Sequence, residues 1–403
     1  MPDVVIAGGG PAGSTLARRL ARLGHAVTLF ERSSFDGPTD GESYHANVPP
    51  LPSLIRWQSS EVVSRPVRQV AVLRPAFDAM LLELAEREGA TVIRRAAEPA
   101  NAAITVDATG RASWSRGMRT RTGEPAIAMR ALWRGGELPR EMRVEALEDG
   151  WLWGAPMPDG SFAAIACVDA PTEFFELLAR SLLFRDLPRD AAVHAHDATA
   201  YAADVFCDEQ IIRIGDASHS LDPLSSSGIR SAMQSATHAS IVINTIVRRP
   251  DDAGLARRFY TITQRAAVAE HQRWTRAFYA EGRFRDAPFW RKRAAAAPAA
   301  VESPEHVALA EGIEITDVPC VIGDFIESRR GIAGASIRPF TRIGTLDAAR
   351  LLEPLAGRAL ASAELLEAWR AIAPHRETAL LESLVRSGVI VRSTPPPAAL
   401  PRS

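Results

Sequence analysis

Residues 4–32 read VVIAGGGPAGSTLARRLARLGHAVTLFER, and this stretch decides the fold. The apolar run Val4-Val5-Ile6-Ala7 suits a buried parallel strand and leads straight into Gly8, Gly10 and Gly13, the G-x-G-x-x-G spacing, with a helix opening at Pro11. The first glycine permits the tight turn, the second lets a pyrophosphate approach the backbone, and the third lets helix and strand pack closely. Phosphates bound there rest on a helix N-terminus, where unpaired N–H groups and the helix dipole favour negative charge. Gly8, Gly10, Ala12 and Gly13 are therefore candidate contacts. A second strand, Ala26 to Phe30, ends at Glu31 and Arg32, with Glu31 about the expected twenty residues on to accept a ribose 2′-OH. An acidic side chain at that place disfavours a 2′-phosphate, so NADP fits poorly.

Working outward, 403 residues exceed the usual single-core size, and two or three structural units are expected. A net charge of −1 leaves no electrostatic footprint for nucleic acid or an anionic membrane. Cys167, Cys207 and Cys320 are odd in number and widely spaced, which points to reduced thiols and away from a disulfide framework or metal site. The first strand begins within three residues, without a basic n-region or long apolar h-region. No apolar run reaches membrane-spanning length, since IVINTIV after Ser240 soon meets Arg248. A soluble cytoplasmic protein is expected. Of 47 basic residues only Lys292 is a lysine, leaving 46 arginines, a bias that a GC-rich genome produces.

Three further segments carry motifs: VLRPAFDAMLLELAEREGATV from Val72, VDATGRAS from Val106, and IIRIGDASHSLDPLSSSGIRSAMQSA from Ile211. Residues 36–70 read as a loop-rich excursion broken by Gly37, Pro38, Gly41, Pro49, Pro50 and Pro52. From Phe77 to Glu88 apolar residues recur at helical spacing, and the strands ATVI and ITVDATG close a β-α-β nucleotide unit. Residues 118–170 alternate polar and apolar positions (RALWRG, MRVEAL, FAAIACV), as a half-buried antiparallel sheet does, a plausible floor for a substrate pocket. Ile211 to Ile214 returns to a buried strand, Gly228 to Val247 is helical, and an aromatic-bearing helix runs from Ala256 to Tyr279. RKRAAAAPAAVESP then reads as a hinge or helix end, followed by strand-like VPCVIGDFI, two helices and a short terminal strand. The expected class is α/β: a Rossmann-like dinucleotide domain of the glutathione-reductase type (1–117 and 205–300), interleaved with an antiparallel β-sheet substrate domain (118–204), plus a small α+β winged-helix-like unit (301–403).

Arg74 with Phe77 and Asp78 forms an R-x-x-F-D segment, Asp107, Thr109, Gly110 and Arg111 a D-A-T-G turn, and Gly215-Asp216 a G-D pair. Asp222-Pro223 runs through Ser225, Ser226 and Ser227 into Gly228 and Ile229, Gly41-Glu42-Ser43 stands in the early loop, and Gly150–Pro156 reads GWLWGAP. Together with the glycine turn and Glu31, these resemble the flavoprotein monooxygenases of the p-hydroxybenzoate hydroxylase fold, over roughly residues 3–295. The closer resemblance is to the branch that contains flavin-dependent halogenases. It implies FAD as cofactor, Arg74 facing it, and Asp216 contacting ribityl or ribose hydroxyls. It also implies a helix whose N-terminus, after the Asp-Pro loop, faces the flavin O2/N1 edge and stabilises the reduced anion. The family's glycine-rich loop is S-S-S-G here. Trp151 and Trp153, at i and i+2 on a strand, point to one face, where they can wall off the flavin or stack an aromatic substrate.

Halogenases of this branch need a lysine amine between flavin and substrate, and no lysine lies between Gly13 and Arg74. The resemblance therefore implies oxygenation, with O2 as co-substrate and a flavin C4a-hydroperoxide attacked by an electron-rich aromatic. The loop, the W-x-W strand, the cluster Phe289 to Arg293 and the terminal unit are most similar to the peptidyl-tryptophan hydroxylating flavoproteins of quinone-cofactor maturation, the quinohemoprotein amine dehydrogenase type. That similarity implies a protein or peptide substrate carrying tryptophan, docked by the terminal unit. A small phenol or indole hydroxylase of secondary metabolism, an isoprenoid reductase, a halogenase and a non-catalytic FAD redox module stay open. So do the electron donor, NAD(P)H or a separate reductase, and the oligomeric state. Glu42, His45 and His219 are the candidate proton handlers, beside the pocket-wall pair Trp151 and Trp153.

Overall fold

The computed structural model describes residues 3–35, 41–45, 47–97, 102–115, 117–295, 304–334 and 337–393. The chain divides into two compact units, residues 1–248 with 268–297, and residues 249–267 with 298–403.

The first unit is a mixed α/β structure built on a five-stranded parallel sheet. Its order is Ile211–Arg213, Ile104–Asp107, Val4–Ala7, Val27–Phe30 and Thr91–Ile93. All four residues of Val4–Ala7 are buried, as a central parallel strand covered on both faces requires. Helix α1 (Pro11–Arg22) buries Leu16, Ala17 and Leu20 and packs against α2 (Arg74–Arg87) and α4 (Gly228–Arg248), while the short α3 (Phe174–Arg180) packs on the second sheet. A long helix, α5 (Ala253–Ala280), begins in the second unit and gives its residues from Val268 onward to the first.

A seven-stranded sheet adjoins, in the order Val193–Asp197, Ile127–Trp133, Phe162–Val168, Gly150–Pro156, Met142–Leu147, Leu51–Arg56 and Val63–Val67. Its pairings are antiparallel except that Met142–Leu147 runs parallel to Leu51–Arg56. The central strands are buried on both faces, where alternation predicts one solvated face. Trp151, Trp153 and Ala155 join Trp57, Tyr279 and Trp290 on one side, while Leu152 and Ala164 pack with Phe174, Leu178 and Phe184 on the other.

The segment 36–70 is not simply loop. Residues 36–40 and 46 lie outside the described residues, but Gly41–His45 pairs with Gln69–Leu73, and Leu51–Arg56 pairs with Val63–Val67. Pro52 faces Pro66 in the outermost pair, and Pro52 precedes the Ser53–Arg56 register shared with the next strand. At these places a missing N–H breaks no ladder bond to a third strand, so the prolines are tolerated.

In the second unit, VPCVIGDFI is a hairpin and not one strand. Glu314–Ile322 pairs with Phe325–Ala333 around Gly323, whose φ of +58° suits the two-residue turn. His306–Leu309 lies between Leu360–Ala361 and Ile390–Arg392, and three helices, Ala348–Leu352, Ser362–Arg370 and Glu377–Arg386, close a core around Trp369. The Trp369 indole N–H donates to the Leu351 carbonyl at 2.7 Å. Among the described residues no helix is long and apolar enough to cross a membrane.

Gly13 is set by contact. A Cβ there would stand 1.8 Å from the Gly8 carbonyl oxygen. Gly13→Ala should therefore destabilise the protein by ~3 kcal/mol or more, because backbone has to move. Thermal unfolding of the variant measures this; a Tm within about a degree of the parent would show that α1 does not need the close approach.

Candidate functional site

The first unit holds a cavity of about 1340 Å³. Pockets for drug-sized ligands run to about 300–1,000 Å³, so this one can take a dinucleotide and a second molecule. One part is lined by Gly8, Gly10, Ala12, Glu31 and Arg32 at the carboxyl ends of the parallel strands, the other by Met142, Val144, Trp151, Trp153 and Ile165 on the large sheet.

The glycine turn divides its labour. Gly8 has φ +102° and no room for a Cβ, which would meet the Ala108 carbonyl oxygen at 2.4 Å. Gly10 is the reverse case, for a Cβ there would meet nothing within 4 Å. Its surroundings are open cavity, the approach a pyrophosphate needs. No described side chain caps α1, so its first turn presents backbone donors to that space. The Glu31 carboxylate accepts from the Gly9 N–H at 2.5 Å and the Ser33 N–H at 2.6 Å, so it shapes the turn as well as lining the cavity.

Across the cavity, Arg74 donates to Glu42 at 2.9 Å and to both Asp78 carboxylate oxygens at 2.9 and 3.1 Å. Arg130 stands 4.0 Å from the same Glu42 oxygen. Burial opposes the charge on Arg74, but Glu42 and Asp78 outweigh it and push its pKa above the ordinary arginine value. Asp216 lines the cavity with no hydrogen-bond partner for its carboxylate among the described residues. Burial, with Glu42 as a like charge, pushes it up from 3.8 to about 6.

Asp222 accepts from the Leu224 N–H at 2.9 Å and so closes the turn that leads to α4. Ser226 adopts the left-handed conformation, φ +47°, in which glycine is strain-free and other residues cost roughly 1–2 kcal/mol. Ser225 and Ser227 share a hydroxyl hydrogen bond on either side of it. Ser226, Ser227, Gly228 and Ile229 all face the cavity, which puts the N-terminus of the 21-residue α4 on its wall. The backbone thus takes the course of a glycine-rich loop while the sequence is S-S-S-G.

Residues 106–317, more than half of the chain, match the tryptophan halogenase family. The chain belongs to that family. Residues 6–38 match an NAD(P)-binding Rossmann-like domain. A curated relative, the tryptophan 2-halogenase of Chondromyces crocatus, is 26% identical over 366 residues, 71% of this chain and 69% of that one. Among solved structures, the peptidyl tryptophan dihydroxylase QhpG, essential for tryptophylquinone cofactor biogenesis, superposes with a TM-score of 0.74 at 24% identity, covering 96% of this chain and 99% of that one. The flavin-dependent halogenase CmlS gives 0.79 at 20%, covering 96% and 95%. The expected resemblance to the halogenase-like flavoproteins holds, and this member of the tryptophan halogenase family is an enzyme of the flavin-dependent, halogenase-like oxidoreductases.

Within this family member, most residues singled out from sequence share the one cavity: Gly8, Gly10, Ala12, Glu31, Arg32, Glu42, Ser43, Arg74, Thr109, Gly110, Trp151, Trp153, Gly215, Asp216 and the 222–229 loop. Asp107 is a correction. It is fully buried behind the wall, and its carboxylate accepts five hydrogen bonds from Thr109, Ser113 and Ser115. Burial opposes its ionisation, yet those bonds hold it below the usual carboxylate range. It braces the turn that presents Thr109 and Gly110. Gly13 is likewise a packing residue off the wall. His219 is not on the cavity wall: it is buried between the Ser218 and Ser231 hydroxyls at 3.1 and 3.0 Å, and burial pushes it down to about 4. The side chain of His45 lies outside those the structure describes.

Lys292 stands off the cavity wall, its ammonium 2.5 Å from Asp169, which Arg293 also engages at 2.7 Å. Sequence reasoning missed Trp57, Arg130, Trp274 and Phe278, which complete the wall, and Tyr279 behind it. Trp274 and Phe278 stack with centroids 5.3 Å apart, and Phe278 meets Trp57 at 5.1 Å. The i, i+4 spacing of 274 and 278 in an aromatic-rich helix was the available signal.

A carboxyl whose folded pKa lies above its unfolded value contributes stability that is present at low pH and lost as pH rises through the folded pKa. For Asp216 that window runs from 3.8 to about 6. Asp216→Asn should therefore leave the ligand-free protein unchanged near pH 4 and stabilise it by roughly 1–2 kcal/mol above pH 6, after solvent screening. Paired denaturant titrations at the two pH values test this; an equal effect at both would mean the carboxylate is not held against its charge.

Proposed function

We propose that this enzyme binds FAD and oxygenates an electron-rich aromatic ring, the indole of a tryptophan carried on a protein or peptide. The observation that carries the reading is one continuous cavity joining a dinucleotide cradle to a tryptophan-walled apolar compartment, with the chain's one lysine tied to Asp169 elsewhere. The open space at Gly10 and the unpartnered carboxylate of Asp216 support FAD as the occupant of the cradle. Gly8, Gly10 and the first turn of α1 would hold its pyrophosphate, while Glu31 and Asp216 accept from its hydroxyls. Reduced FAD, when bound, supplies the electrons that activate O2.

The residues around it then have distinct tasks. The N-terminus of α4, on the cavity wall, would stabilise negative charge on the reduced cofactor. Trp151 and Trp153 exclude water and orient the substrate ring edge-on or stacked. Arg74 and Arg130 grip Glu42 through Oε1, which leaves Oε2 to accept the proton that the ring loses on rearomatisation. The electron donor is NAD(P)H or a separate reductase, and NAD(P)H consumption by the isolated protein separates the two.

The near full-length likeness to a peptidyl tryptophan dihydroxylase supports a polypeptide substrate docked by the 301–403 unit. Halogenation is the second reading, favoured by the 26% identity to a tryptophan 2-halogenase and by the equally complete match to CmlS. Reduced enzyme supplied with O2 and bromide should add one or two oxygens to tryptophan in a peptide, read by mass spectrometry, and should add no bromine. A bromine isotope doublet on the product would establish the second reading, and product from free indole alone would point to a small-molecule hydroxylase.

A further inference from the structure

Tyr279 of α5 is 1% exposed and is not part of the cavity wall, yet its hydroxyl joins two parts that are. The Trp151 indole N–H donates to it at 3.2 Å. The hydroxyl in turn faces both carboxylate oxygens of Asp222, at 3.1 and 3.2 Å. An indole N–H can only donate and a carboxylate only accept, so the proton order is fixed, from Trp151 through Tyr279 to Asp222. Two turns earlier on α5, His271 lies near the Asp222 backbone. The helix thus holds Asp222 through the Tyr279 hydroxyl, at the residue that caps the turn leading to α4. Trp151, 128 residues away from Tyr279, belongs to the large sheet.

We propose that Tyr279 is a positioning residue that locks the substrate wall to the loop at the flavin edge, so that a shift of the Trp151 ring is felt at Asp222–Ser227 and the reverse. This rests on the reading of the cavity as a site for FAD and an indole. The lock works because the phenol is rigid and buried and the two bonds share one oxygen: moving either partner weakens the other bond. Tyr279 touches neither cofactor nor substrate. Its role is to fix the distance between the groups that do.

Tyr279→Phe keeps the ring and removes both bonds, and free indole serves as the probe. FAD content should stay near stoichiometric. Amide hydrogen exchange across 222–227 should rise roughly tenfold or more, the scale of a lost hydrogen bond to a buried carboxylate. The visible flavin bands should shift, and indole affinity read from them should fall several-fold. Asp222→Asn retains an amide oxygen for both Tyr279 and Leu224, so its exchange should stay close to the parent's. A tyrosine that merely fills space would lower the Tm while leaving loop exchange and flavin bands unmoved, and that result overturns the proposal. Should Tyr279→Phe fail to fold, Asp222→Ala reads the same link from its other end. The Trp151 indole N–H resonance, assigned by Trp151→Phe, should move although Asp222 does not touch Trp151, and an unmoved resonance overturns the proposal. Exchange and indole resonance are measured with or without FAD, so a failure to oxygenate anything would sink the functional reading and leave this test standing.

Discussion

The structure depends on a place where three backbone turns meet with almost no side chain between them. A Cβ on Gly8 would strike the Ala108 carbonyl oxygen at 2.4 Å, one on Gly13 the Gly8 carbonyl oxygen at 1.8 Å, and one on Gly215 the Ala12 side chain at 2.9 Å. These turns follow adjacent parallel strands, and the first strand has Val27–Phe30 on one side and Ile104–Asp107 on the other. The connections leave in opposite directions there, which opens a crevice at the carboxyl ends. Close contact below makes the crevice possible above. If α1 stood off by a side chain's width, its N-terminus would no longer reach the wall that Gly10 leaves open.

What the sequence made legible follows from the range of each interaction. The glycine turn, Glu31 and the helix after Ser227 are local patterns, and each is found where its spacing predicts. The prolines of 36–70 misled because a proline forbids a central strand and permits an edge, and only the sheet order says which applies to Pro52 and Pro66. Alternation in Gly150–Pro156 could not reveal that both faces are covered, since small residues such as Gly154 and Ala155 fit a crowded face as well as a solvated one. Asp107 stands in a motif that lines the cavity through Thr109 and Gly110, and position in the motif does not tell a brace from a lining residue. Tyr279 was illegible altogether: its partners lie 128 and 57 residues away.

Charge is distributed unevenly in the cavity. Glu42, Asp78 and Asp216 share one district with Arg74, and the bonds of Arg74 go to the first two. At Asp216 desolvation and the like charge of Glu42 outweigh the pull of Arg111, Arg74 and Arg119 and push its pKa up to about 6. A ligand offering hydroxyl donors there would favour the carboxylate form, and its binding would release a proton.

The same reasoning bears on which chemistry the apolar compartment can host. The lysine-dependent reaction of the halogenase-like branch needs an amine on the wall, and the ammonium of the chain's one lysine is paired with Asp169, which it shares with Arg293. The 46 arginines that remain cannot take its place, because a guanidinium stays protonated at any pH the protein survives and offers no free lone pair. Arg74 and Arg130 can hold a carboxylate in position, but they cannot deliver or accept a proton in turnover. What the wall does offer is several tryptophan faces and a carboxylate held by Arg74, groups that in the proposed reaction orient an aromatic ring and remove its proton. That set fits the proposed oxygen transfer to the ring, and no lysine is among the residues that line the cavity.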